Sequence, residues 1–121
     1  MSVYIDGFLL PVPKKNLAAY RRMSAKASKV WKEHGALEYR ECVADDVKAR
    51  GAASFPRAAK AKKGETVFFS YIVYKSRAHR DQVNKKVMKD PRIAAMMPDK
   101  APMPFDYKRM CYGGFKTLVE A

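Results

Sequence analysis

The chain is poor in cysteine, with only Cys42 and Cys111 in 121 residues. Two thiols exclude a disulfide scaffold. The opening MSVYIDGFLL carries Asp6 and no basic leader, so both cysteines are expected to be reduced thiols of a cytoplasmic protein. Histidine is equally scarce: His34 and His79 are the only two. Neither sits in a Glu-x-x-His or Cys-x-x-Cys spacing, so no metal and no cofactor are expected. Glycine-rich phosphate loops are missing as well, because Gly113-Gly114 falls within a strand pattern and not before a helix. No apolar run approaches the roughly 20 residues that cross a bilayer, which removes the membrane from the expected partners. Acid is the last deficit: 12 Asp and Glu against 25 Lys and Arg leave a net charge of +13. That excess draws polyanions without specifying one.

With 48% hydrophobic and 31% charged residues, the chain is ordinary globular material, and its length fits one domain over 1–121. Residues 3–11 read as a strand ended by Pro11 and Pro13. Apolar positions at three- and four-residue spacing from Lys14 to His34 predict an amphipathic helix stopped by Gly35. A second strand is expected over 36–47, a loop over 48–64 and a third strand over 66–74. Ser76 then caps a helix over 77–89, and Asp90-Pro91 opens a short turn of helix through Met97. Residues 98–106 hold three prolines and read as irregular. The last strand is expected over 110–120, with Gly113-Gly114 marking a bulge or a close backbone approach. The string is β-α-β-β-α-β, the ferredoxin-like order. It implies an α+β fold with a four-stranded antiparallel sheet and helices on one face.

Two helices cover one face of such a sheet, yet the strands are apolar on both. The third strand offers Val67, Phe69, Tyr71 and Val73 on one side and Phe68, Ser70, Ile72 and Tyr74 on the other. The uncovered side calls for a second copy of the chain or a nucleic acid. An RNA-recognition motif would set glycine between aromatics on the third strand, and ETVFFSYIV lacks it. A homodimer is therefore the favoured expectation. Nucleic-acid binding through Lys and Arg of the helical side, among them Arg21, Arg22 and Lys29, with Lys60, Lys62 and Lys63 of the loop, is the alternative. The bland reading of those charges is a surface that keeps the chain soluble.

Five polar residues are candidates for lining a small-molecule pocket between two sheets: Asp6, Tyr39, Glu41, Tyr71 and Tyr112. Asp6 stands in an apolar strand, where a carboxylate is costly unless it is paired or functional. Its bland reading is a structural bond to a neighbour such as Arg109. Glu41 reads more simply as a solvated strand residue, and Trp31 as core. His34 suits the last carbonyls of its helix. Arg80 is counted with Lys75, Arg77, Lys85, Lys86 and Lys89 on the outer side of the second helix. Catalytic residues are not identified by any spacing.

Four stretches resemble the uncharacterised bacterial YbaA-like family: YIDGFLLPVPKKNLAAYRR, VWKEHGALEYRECVADDV, the block from SFPRAAKAKKGETVFFSYIVYKSRAHRDQ to KDPR, and MPFDYKRMCYGGFKTLVE. Together they span nearly the whole chain. The resemblance implies a dimeric α+β barrel, in which two ferredoxin-like halves press their sheets together. The superfamily of that name includes antibiotic-biosynthesis monooxygenases, haem-degrading enzymes and muconolactone isomerases. It implies no activity for this branch. A small apolar or aromatic molecule, with or without cofactor-independent chemistry, is the expected occupant of such a barrel.

Overall fold

The computed structural model describes residues 2–121. Its sheet has four antiparallel strands: β1 (Tyr4–Pro13), β2 (Glu38–Val43), β3 (Glu65–Tyr74) and β4 (Cys111–Lys116). They lie in the order β2-β3-β1-β4. The helices are α1 (Leu17–Glu33), α2 (Phe55–Ala58), α3 (Arg77–Met88) and α4 (Pro91–Ala94). The chain is thus an α+β protein.

β1 outruns its expected end and passes through both prolines. Its pairing with β4 stops at Leu9↔Cys111, so Pro11 and Pro13 stand where β1 has a neighbour on one side only. Proline is tolerated at such a half-free stretch because one of its flanks needs no N–H. β2 is shorter than expected: it is an edge strand, paired only with β3 from Glu38↔Val73 to Val43↔Phe68. β4 also stops early, at Lys116, opposite Tyr4 at the start of β1. Thr117 ties the segment after β4, its hydroxyl donating to the Val3 carbonyl at 2.7 Å, and Glu120 accepts from the Val3 amide at 3.4 Å. Leu118 and Val119 lie between these two ties, 96% and 85% exposed.

Local signals account for the helix ends. Ser76 accepts from the His79 amide at 3.0 Å, and Asp90 accepts from the Arg92 amide at 2.9 Å with Pro91 in the first turn. Gly35, at φ +117, takes the left-handed turn that closes α1. The 48–64 segment is not all loop. Ser54 accepts from the Arg57 amide and starts α2, which carries Phe55 against Phe69 at 6.0 Å between ring centroids.

Strand alternation sorts the side chains into two layers. Tyr4, Asp6, Leu10 and Val12 of β1 and Phe68, Ser70, Ile72 and Tyr74 of β3 are buried on the side that meets Ala27 and Val30 of α1 and Val83 and Val87 of α3. Phe69 and Phe115, on the other side, are 51% and 63% exposed. The Gly113-Gly114 pair marks a close approach and not a bulge, since the β1–β4 register runs unbroken. A Cβ on Gly114 would stand 2.9 Å from the Tyr4 ring. Tyr4 is buried and its hydroxyl accepts from Arg80 at 3.2 Å, so it has little room to yield. Gly114→Ala is expected to cost about 1–3 kcal/mol in urea unfolding. An unchanged midpoint would show that the ring moves freely.

Candidate functional site

A cavity of about 430 Å³ lies between the sheet and the helical layer. Phe8 and Leu10 of β1 and Ile72 of β3 supply its floor, and Tyr20, Met23, Ala27 and Trp31 of α1 one wall. The remaining wall is the irregular segment after α4, with Met96, Met97, Met103, Phe105 and Met110 facing the space. Methionine is flexible and polarizable and fills irregular gaps, so this cover can adapt to what it encloses.

The cover is tied down at three places. Near its start, Arg92 bridges Asp90 at 2.8 Å and Glu33 of α1 at 2.6 Å, while the His34 ring meets Asp90 at 2.9 Å. In its middle, the Asn16 side-chain amide donates to the Pro104 carbonyl at 2.9 Å. At its end, Arg109 makes a two-pronged pair with Glu65, at 2.7 and 2.9 Å, and donates to the Lys60 carbonyl at 2.7 Å.

That last strap is pH-sensitive. The Arg109 hydrogen bonds hold the Glu65 carboxyl well below its ordinary 4.5, at about 2. A depressed carboxylate contributes stability above its unfolded pKa and loses it as pH falls through the folded one. The strap's contribution is therefore present above about pH 4.5 and fades toward pH 2. Arg109→Gln should flatten the acid limb of the stability curve over that window, read from urea midpoints. An acid limb unchanged by the substitution would contradict the assignment.

One carboxylate stands at the polar end of the cavity. Glu41 of β2 accepts from Tyr20 at 2.9 Å, Ser24 at 2.6 Å and Tyr39 at 3.3 Å, and also from the Ser70 hydroxyl. Tyr20 and Ser24 are one helical turn apart on α1, so both hydroxyls come down on the same strand residue. Burial, then the nearby Glu41 charge, push the Tyr20 and Tyr39 phenols well above their ordinary range, which keeps them protonated donors. Glu41 is thus no solvated strand residue. Its partners lie far apart in sequence, and only the Tyr20/Ser24 spacing and the Tyr39-x-Glu41 alternation foreshadow them.

A second buried cluster lies further along the helical face. Asp6 is 1% exposed, and its Oδ1 has no hydrogen-bond partner. Its charge partner is Arg80, with Nε 3.8 Å from Oδ1. The sequence expectation of Arg109 as that partner is corrected, since Arg109 is committed to Glu65. So is the placing of Arg80 on the outer side of its helix. Arg80 turns inward, donating to Tyr112 at 2.8 Å and to Tyr4 at 3.2 Å. Burial raises the Asp6 pKa, with Arg80 acting against it.

The five pocket candidates therefore divide. Tyr39, Glu41 and Tyr71 border the cavity, Tyr71 from a position whose ring alternates to the Phe69 face of the sheet, whereas Asp6 and Tyr112 belong to the Arg80 cluster. The Tyr71 ring lies 6.4 Å from that of Phe69, two residues before it on the same strand face. Trp31 borders the cavity too, its indole N–H shared between Tyr74 at 3.1 Å and Asn84 at 3.2 Å. The methionine cover was missed in the sequence, although Met96, Met97, Met103 and Met110 crowd a stretch otherwise marked by proline. Arg21, Arg22, Lys29, Lys60, Lys62 and Lys63 are all exposed, and none borders this cavity. Among the described residues no group of three metal-binding side chains forms, and no helix is long and apolar enough to cross a membrane.

Fold and site define an α+β protein with an apolar cavity behind its sheet and a hydroxyl-ringed carboxylate at one end of it. The chain belongs to the family described as "Protein of unknown function (DUF1428)", whose pattern matches residues 3–107. It is 46% identical to the uncharacterized protein YbaA of Escherichia coli K12 over 117 residues, 97% of each chain. The YbaA protein of Shigella flexneri matches to the same extent. Among solved structures, the de novo designed protein Foldit4 aligns over 99% of this chain and all of its own, at 11% identity and a TM-score of 0.44.

Proposed function

We propose that this protein is a ferredoxin-like homodimer of the dimeric α+β barrel type that binds a small apolar or aromatic molecule in the cavity of each chain. The observation that carries the reading is the cavity itself. At about 430 Å³ it falls in the size range of small-molecule sites, and its walls are aromatic and methionine-rich with polar groups gathered at one place. This puts the ligand on the helical side of the sheet and leaves the open side for a second copy.

The dimer half of the proposal rests on Phe69 and Phe115, half or more exposed on a sheet face that also holds Ile5, Leu9 and Tyr71. An apolar face of that kind is a common mark of an interface. Sedimentation equilibrium at micromolar concentration tests it: a dimer is expected, and a monomer would leave this face uncovered and overturn the assembly.

If chemistry takes place, the groups at hand are the phenols of Tyr20 and Tyr39 and the Glu41 carboxylate that accepts from both. Such a set can relay a proton but offers no nucleophile of lowered pKa. The cytoplasm is the proposed compartment, in keeping with the reduced state expected for two cysteines set on the two edge strands.

A further inference from the structure

Glu41 is unusual in the company it keeps. The chain carries 25 Lys and Arg residues, yet no cationic side chain among the described residues forms an ion pair with this carboxylate. Arg40, its neighbour in sequence, alternates to the other face of the strand and meets Glu38 at 3.4 Å with most of its side chain in solvent. Arg21 shares with Glu41 the border of a second hollow between α1 and β2, yet forms no ion pair with it. All four partners of Glu41 are neutral hydroxyls.

That arrangement has a definite polarity. A hydroxyl has one proton and two lone pairs. When Tyr20, Ser24, Tyr39 and Ser70 each point their proton at Glu41, only lone pairs remain for anything else that reaches them. These hydroxyls can accept hydrogen bonds and have none left to donate, with the Glu41 carboxylate just behind them; Arg40 also borders the cavity, but its guanidinium is turned to Glu38. The aromatic walls add to this, because the faces of Trp31, Tyr20 and Tyr39 attract cations.

We propose that the cavity selects a primary amine with an apolar or aromatic body, its ammonium seated on the hydroxyls around Glu41 and its hydrocarbon among Trp31, Phe105 and the methionines. This rests on the reading of the cavity as a ligand site and names the class of ligand it takes. An ammonium brings three donors to a cluster of acceptors and supplies the counter-charge that the fold withholds from Glu41. A carboxylate of the same shape meets Glu41 with no donor to receive it. A neutral alcohol satisfies one acceptor and leaves the charge uncompensated.

Trp31 is the only tryptophan of the chain, so its emission reports on the cavity without a label. Titrating the intact protein with 4-phenylbutylamine, 4-phenylbutanol and 4-phenylbutanoate at one ionic strength, about 0.15 M where surface charge is well screened, compares three head groups on one body. The expected result is saturable binding of the amine at least about tenfold tighter than the alcohol, with the carboxylate weakest. The net charge of +13 works in favour of the carboxylate, so the order cannot arise from the protein's overall field. Glu41→Gln should bring amine affinity down to that of the alcohol while alcohol binding persists, which also shows the variant folded. Alcohol or carboxylate binding as tightly as the amine overturns the selectivity and leaves the cavity standing. Failure of all three to move Trp31 emission overturns both.

Discussion

Asp6→Ala should lower the stability of the protein by about 3 kcal/mol, seen as a large fall in the urea midpoint. The loss comes from what is left behind. Arg80 lies with 16% of its side chain exposed between β1, β4 and its own helix. Asp81 already lies nearer, at 3.2 Å from Arg80 Nε, but it is 60% exposed and screened by solvent, so it offsets little of the loss. A largely buried cation that loses its buried counter-charge is among the costlier defects a core can hold. The pair is nevertheless weak evidence for stability in its own right. Asp6 Oδ1 and Arg80 Nε have no hydrogen-bond partners, and burial raises the carboxyl's pKa more than Arg80 lowers it. A group so raised stabilises the fold fully below its ordinary pKa and less as pH climbs through the raised one. The double change Asp6→Leu with Arg80→Met should therefore recover most of the loss, because neither buried charge remains. A double variant as unstable as Asp6→Ala would show that Asp6 acts through something other than Arg80.

Phe69→Asp should break the proposed dimer, raising its dissociation constant by about a hundredfold or more. Phe69 stands in β3, one strand in from the β2 edge, stacked between Phe55 and Tyr71. A carboxylate there would be desolvated against the partner's apolar face. Half of the Phe69 surface is already in water in the isolated chain, so the substitution leaves the fold itself close to intact. Analytical ultracentrifugation separates the two effects: a folded monomer is expected, and an unchanged dimer would place the interface elsewhere.

The caps and stops were legible in the sequence because each is settled within four residues. Ser76, Asp90-Pro91 and Gly35 act on their own helix turn and need nothing distant. The alternation of β3 was legible for the same reason, since successive side chains must fall on opposite faces. Strand ends were less so. Where β1 and β4 stop depends on which neighbour runs out first, and that is a property of pairing. Arg80 shows the limit most clearly. Nothing between Ser76 and Met88 distinguishes it from Arg77 or Lys85 until Asp6, 74 positions away, is placed opposite it. The Glu41 cluster was hidden likewise, assembled from α1, β2 and β3.

The central claim, an open and ligand-accessible cavity behind the sheet, is tested most directly with the uncharged apolar dye N-phenyl-1-naphthylamine. Its emission should rise on titration and saturate at one dye per chain. Met23→Trp, which places a larger side chain on the α1 wall, should abolish that rise while leaving the circular dichroism spectrum unchanged. Saturable binding by the parent and none by the filled variant is the predicted result. Equal binding by both, or none by the parent, would contradict it.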